Sequence, residues 1–321
     1  MTQKLTPMDV TQHARTLCSL VSAAILAGAS ACMSPGDTES SPEPSLGEAT
    51  ALVTPDPTSR IIVGDFDGDG RSDILYTNGS EWLTSSGATS PLTHSAYSAA
   101  LAKDLVVGDF NGDGRSDVLA GTGSEWLVSL GANTNWQHFA YTSARAPDLV
   151  VGDFNGDGRS DVLTGTGSEW LVSLGANTNW QHFAYTAAKA PDLLAGDFNG
   201  DGRTDMLAGN GSEWLVSLGA NTNWQHFAYS AATAATLQAA DFDGDGKADV
   251  FATTGSEWLV SSGANTNWQH YAYSAAMAQA VKIGDFDGDG RADVFYATGS
   301  SWNISYGGNT NWVTVMFTSA R

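Results

Sequence analysis

Asp109-Phe110-Asn111-Gly112-Asp113-Gly114-Arg115-Ser116-Asp117 is written six times in this chain with only minor variation. The copies begin at Asp65, Asp109, Asp153, Asp197, Asp241 and Asp285, always 44 residues apart, with no insertion or deletion between them. Self-similarity at a period of roughly 20–50 residues marks a repeat architecture. Oxygen-bearing side chains stand at positions 1, 3, 5 and 9 of each copy, and position 7 offers a backbone carbonyl. The glycines at positions 4 and 6 let the chain curl through conformations that a Cβ would penalise.

That donor set suits a hard cation. Calcium accepts six to eight oxygens in flexible geometry, whereas magnesium holds a stricter octahedron and keeps its waters. No cysteine or histidine lies in the loops, which disfavours zinc and copper. The expected ligands are Asp65, Asp67, Asp69 and Asp73 in the first loop, and Asp109, Asn111, Asp113 and Asp117 in the second. The third and fourth loops supply Asp153, Asn155, Asp157, Asp161, Asp197, Asn199, Asp201 and Asp205. The fifth and sixth supply Asp241, Asp243, Asp245, Asp249, Asp285, Asp287, Asp289 and Asp293, for up to six Ca²⁺. Position 3 is Asp in loops 1, 5 and 6 and Asn in loops 2 to 4, so the former carry the larger ligand charge. The loop is not an EF-hand. Position 12, which that motif fills with a bidentate Glu, holds Tyr76, Ala120, Thr164, Ala208, Ala252 or Tyr296.

The charge balance points the same way. The chain carries 35 acidic and 14 basic side chains, a formal −21, and 21 of the acids sit in the six loops. Carboxylates crowded this closely repel one another unless a cation lies between them. Nucleic acid is excluded as a partner on the same ground.

Residues 1–31 read as an export signal. Lys4 and Arg15 precede an apolar run from Leu17 to Ala29, and Ala29-Ser30-Ala31 ends it in small residues. Cys32, directly after them, resembles the acylated cysteine of bacterial lipoproteins and has no partner left once the signal is removed. Several acyl chains on that one residue would anchor the protein stably to a membrane. The expectation is an exported bacterial lipoprotein of the outer membrane or cell surface. Residues 32–56, rich in Ser, Pro, Glu and Thr, read as a disordered tether spanning on the order of 25–30 Å.

From residue 57 on, each unit holds four strand-like pieces and no helical period. In the second unit these are Asp104–Phe110, Asp117–Gly121, Glu125–Leu130 and Trp136–Tyr141, with the acidic loop as the turn of the first hairpin. Trp126, Val128 and Leu130 alternate with Leu127 and Ser129, the period of a half-buried strand. Four short strands per unit of this length predict an all-β fold, a β-propeller of six four-stranded blades over residues 57–321. A blade cannot bury both faces alone, so Trp82, Trp126, Trp170, Trp214, Trp258 and Trp302 are expected to pack between blades. Unit boundaries coincide with strand boundaries, so ring closure requires no strand exchange between the termini.

The loop and the apolar strand before it resemble the FG-GAP/VCBS repeat, known from integrin α-subunit propellers and many secreted bacterial proteins. The resemblance covers residues 57–320 and implies a propeller with Ca²⁺ at loop positions 1, 3, 5, 7 and 9. The Gly-Ala-Pro element of that family is missing, Gly131-Ala132-Asn133 being its nearest match, and six units stand where seven is usual. The chain is also similar to a fungal propeller lectin that binds N-acetylglucosamine.

A second cluster, Asn-Thr-Asn-Trp-Gln-His, recurs at Asn133–His138, Asn177–His182, Asn221–His226 and Asn265–His270. Trp136, His138, Trp180, His182, Trp224, His226, Trp268 and His270 would offer aromatic faces and polar edges to a glycan. The alternative is that the Asn-rich part is merely a turn and the tryptophans pack. Every polar feature is repeated, and no nucleophile–base pair stands out, so a binding or adhesion module for a glycan or surface protein is expected. A secreted polysaccharide-degrading enzyme on a propeller scaffold is the alternative reading.

Overall fold

The computed structural model describes residues 57–317 apart from Thr134, Thr178, Ala190, Pro191, Thr222 and Thr266. The export signal, Cys32 and the tether lie outside the described residues. Six antiparallel sheets of four strands follow one another along the chain, one per repeat. In blade two the inner strand Leu105–Gly108 pairs with Asp117–Gly121, then Trp126–Ser129, then the outer strand Gln137–Ala140. The inner strands of successive blades neighbour one another all the way round, and that of blade six lies beside that of blade one. The ring is closed.

Blade two's first, third and outer strands stop one or two residues short of the sequence expectation. Leu130 belongs not to the third strand but to a 3₁₀ turn, Leu130–Ala132. Gly131 and Ala132 sit at φ of 55° and 53°, a left-handed pair that no strand can contain. The expected alternation also fails at its end: Trp126 and Val128 are buried as foreseen, but so is Ser129, while Leu130 is only half-buried.

The blades are held to each other in two ways. Trp126 is fully buried, donates its indole N–H to the Ala144 carbonyl, and meets Trp180 of the next blade edge-on at 5.2 Å between ring centres. The same T-shaped pair recurs as Trp82–Trp136, Trp170–Trp224, Trp214–Trp268 and Trp258–Trp312. At the closing seam Leu92 of blade one takes the second partner's place in the cluster around Trp302. Nearer the axis, the position-8 N–H of each loop donates to the position-1 carbonyl of the loop before it. Ser116 bonds Asp65 at 2.6 Å, and Ser72 of blade one bonds Asp285 of blade six at 2.6 Å. Closure is therefore made by loop contacts and packing, with every sheet built from its own repeat.

Replacing a buried tryptophan at these seams leaves a void on both sides of the interface. Trp170→Ala is expected to cost about 3–5 kcal/mol in urea denaturation. The same change at Trp302 should cost a similar amount if the closing seam is as tight as the others. A loss below about 1 kcal/mol at either position would show that the seam tryptophans do not hold the ring.

Candidate metal loops and rim grooves

The aspartate at position 9 is the deepest residue of each loop. Asp117 has no exposed surface; its Oδ2 accepts the Phe110 N–H at 3.1 Å and its Oδ1 accepts the Gly131 N–H at 2.8 Å. The other five copies make the same two bonds, with Asp73 joining Phe66 to Gly87 and Asp293 joining Phe286 to Gly307. One carboxylate thus ties the metal-loop hairpin to the turn after the third strand. Burial pushes Asp73, Asp117, Asp161, Asp205 and Asp293 up to about 6 against the pull of these two N–H bonds, and Asp249 rises for the same reason. The sequence reading assigned position 9 to the metal alone, and its structural bonds went unforeseen. Each oxygen retains a second lone pair for a cation, except Asp73 Oδ2, which also accepts the Asp67 N–H at 3.3 Å.

Position 1 shapes the loop from outside. Asp109 Oδ1 accepts the Gly112 N–H at 2.6 Å and its Oδ2 accepts the Gly114 N–H at 2.8 Å. At position 3, Asn111 Oδ1 accepts the Asp113 N–H at 2.7 Å. In loops 1 and 5 the carboxylates of positions 1, 3 and 9 converge: Asp65, Asp67 and Asp73, and likewise Asp241, Asp243 and Asp249, each bring one oxygen within 4.8 Å of the others. In loop 6 the convergent set is Asp285, Asp287 and Asp289. These are the loops with Asp at position 3, and their donors fit a hard divalent ion. In loops 1 and 2 the position-5 carboxylate turns to its own arginine. Arg71 pairs with Asp69, and Arg115 holds Asp113 at 3.0 Å, so that both carboxyls fall below the usual range.

The position-7 bases join the loops into a ring. A Cβ on Gly68 of loop 1 would lie 2.9 Å from Cγ of Arg115 in loop 2, so position 4 must be glycine for space as well as for its φ of 82°. Arg159, Arg203, Lys247 and Arg291 lean in the same way over loops 2 to 5, and Arg71 leans over loop 6. Six acidic loops and six cations therefore alternate around one face.

The second candidate region lies on the outer edge. A groove of about 270 Å³ between blades three and four is lined by His182 and Tyr185 on one side and Asn221, Asn223 and Trp224 on the other. Trp136, Trp180, Trp224 and Trp268 are half-buried and packed edge-on against the preceding blade, and Trp224 also lines this groove. His138, His182, His226 and His270 are exposed on the outer strands. Each lies 3.7–3.8 Å from the glutamate that precedes the tryptophan of its own third strand, as His182 does from Glu169.

The tyrosines of the same repeated cluster stand beside the expected tryptophans and histidines. Tyr97, Tyr141, Tyr185, Tyr229 and Tyr273 are 84–85% exposed, and each touches the histidine three residues before it, with ring centres 4.1–4.4 Å apart. In a regular strand residues three apart point to opposite faces. Here Trp126 pairs with Ala140 but Leu127 pairs with His138, so Phe139 is an extra residue. That bulge reverses the parity and brings His138 and Tyr141 to one side. The repeated His-x-x-Tyr spacing was the only available signal.

A family model described as an FG-GAP-like repeat matches residues 65–120, 109–164, 153–208 and 197–252, together more than half the chain. No curated protein sequence matches. Among solved structures, the Tc holotoxin pore of Photorhabdus luminescens is similar at 14% identity and a TM-score of 0.56, over 80% of this chain but only 14% of that one. A lectin of Agrocybe aegerita that recognises non-reducing terminal N-acetylglucosamine is similar at 17% identity and a TM-score of 0.52, over 79% of each chain. Likeness at this identity shows the fold alone.

The buried carboxyls predict how the metal-free protein responds to pH. Their folded values of about 6 exceed the ordinary 3.8, so the folded state holds the protons more tightly. Stability should then be highest at low pH and fall as pH rises through about 6. In chelator, the melting temperature is expected to be higher at about pH 5 than at about pH 7.5. Adding calcium, which favours the ionised form, should flatten or reverse that slope. A flat profile in chelator would show that the position-9 carboxyls are not desolvated.

Proposed function

The chain belongs to the FG-GAP-like repeat family, and from that premise we propose a non-catalytic, calcium-stiffened binding propeller for cell-surface glycans. The observation that carries this reading is the rim groove: an indole, two Asn amides, and a histidine–tyrosine pair meeting where one blade joins the next. A sugar presents C–H faces that stack on aromatic rings and hydroxyls that pair with planar amides. The His–Tyr pair recurs in five blades, and weak equivalent sites gain by avidity on a polymeric ligand. Repetition also speaks for binding over catalysis, because the His–Glu pairs recur in four blades with no blade set apart by a unique reactive partner.

Calcium in this reading stiffens the hairpin loops, held by positions 1, 3, 5 and 9 with the carbonyl of position 7. Export and a lipid anchor at Cys32 would place the propeller outside the cell, where calcium is plentiful, at an outer membrane or cell surface. The tether of residues 32–56 would hold it clear of the bilayer. A surface protein is the second class of partner.

The metal and the ligand are tested separately. Calcium at a hundredfold excess over its dissociation constant stabilises by roughly 2.7 kcal/mol per site, so EDTA should lower the melting temperature markedly. An unchanged melting curve would remove the metal from the proposal. In site-resolved titration loops 1, 5 and 6 should fill first, through the extra charge of Asp67, Asp243 and Asp287; the opposite order would contradict the charge argument. For the ligand, arrays that include N-acetylglucosamine-terminated glycans are the first probe, since a propeller of this fold recognises that sugar. Combined Tyr141→Ala, Tyr185→Ala and Tyr229→Ala substitutions leave the core untouched and should weaken polymer binding at least roughly a hundredfold. Binding that survives them would reject the rim groove.

A further inference from the structure

Blade one departs from the others at three positions that meet in space. Where blade two has Val128, Leu130 and Phe139, packed with Phe110 and Trp126 in one apolar cluster, blade one has Thr84, Ser86 and Ser95. Blades three and four keep the apolar trio, and blades five and six fill the first and third positions with Val260 and Tyr271, or Ile304 and Val315. Blade one alone puts hydroxyls at all three.

The consequence is a cavity of about 390 Å³ at the seam between blades one and two. Thr84, Ser86, Ser90 and Ser95 line it from blade one, Arg115 and Asn133 from blade two, and Asp67 from the first acidic loop. The Ser86 hydroxyl bonds the Asp69 carboxylate, and two other lining hydroxyls keep capacity for a ligand. Ser95 donates to the Ala132 carbonyl at 2.6 Å and retains its lone pairs, while Ser90 accepts the Ser86 N–H at 2.7 Å and has its own proton to give. Loss of apolar filling costs stability, and three hydroxyls in place of three apolar side chains do not restore it. A volume of this size is that of a small-molecule site. Its charge selects the ligand further: the Arg115 guanidinium is already engaged by Asp113 at 3.0 Å, and Asp67 and Asp73 both face the space. With its one cationic lining side chain so engaged, the space offers an anion no free partner, whereas a hydroxyl-rich neutral molecule finds both donors and acceptors there.

We propose that this seam is a dedicated site for one neutral, multiply hydroxylated ring, a single sugar residue, distinct from the repeated rim grooves. It borders the rim of blades one and two, since His94, the ring partner of Tyr97, also lines it, but none of the exposed tyrosines does. The site sits once per propeller, so its stoichiometry is one.

The test uses the full chain with calcium and a panel of free glucose, galactose, mannose and N-acetylglucosamine, followed by calorimetry and ligand-observed NMR. At least one sugar should bind at one equivalent. Thr84→Val with Ser86→Leu and Ser95→Phe rebuilds the apolar filling of blades two to four. That variant should lose the binding while melting at the same or a higher temperature. Thr84→Val alone, which keeps the shape and removes one hydroxyl, should weaken binding about tenfold and guards against a misfolded triple variant. The proposal is overturned if no sugar of the panel binds, or if the filled variant binds as well as the parent. It is equally overturned if binding persists in the filled variant and vanishes with Tyr185→Ala and His182→Ala, which would assign the sugar to the rim. Failure of the rim grooves on polymeric glycans, with the single seam site intact, leaves it standing.

Discussion

A buried carboxylate with two backbone N–H donors is the constraint on which each blade is built. Asp117 lies fully buried, bonded to Phe110 in its own loop and to Gly131 across the sheet. An ion so placed is tolerable only because hydrogen bonds replace the water it has lost. Those bonds do more than compensate for burial. They fold the turn after the third strand back onto the hairpin, and that turn leads directly to Asn133 and Trp136. Trp136 reaches Trp82 of the preceding blade, so the aspartate that closes the acidic loop also aims the residue that closes the seam. Acidic loop, blade interface and rim groove are mechanically one unit.

Electrostatics explains why six such units share a face. Twenty-one loop acids would drive the ring apart if each loop stood alone. The position-7 bases intervene, each leaning from its own loop across the glycine of the loop before it. Six bases cannot balance 21 acids, and the remainder is the demand that a divalent cation would meet. The N–H···O bond from position 8 to the preceding position 1 fixes the spacing at which this works. Because the same bond joins Ser72 to Asp285, the closing seam keeps the loop contact of the other five and needs no exchanged strand.

Repetition also gives departures their meaning. A propeller of near-identical blades has near-identical seams, so a seam that differs does so through its own side chains. Thr84, Ser86 and Ser95 are unremarkable one at a time, each a small polar residue in a strand or turn. Their effect depends on the blade packing that brings all three to one wall facing Arg115 and Asn133 of the next blade.

The amino-acid sequence by itself determined the fold and the phase of its repeats. An uninterrupted period, an alternating third strand and a fixed loop pattern admit one way to bury the apolar faces, and the six tryptophans lie where that burial requires. It showed too which oxygen-bearing side chains share a loop, because spacing within nine residues is local. Three things waited for the tertiary structure. The partners of the position-9 aspartates lie 14 residues away across the sheet. Arg115 meets Gly68 only because one blade packs on the next. The His138–Tyr141 contact exists only because a bulge at Phe139 reverses the strand's parity, which side-chain alternation along the chain cannot reveal. Local spacing is written in the chain, whereas contacts between blades and shifts of register arise only when the strands pair and the ring closes.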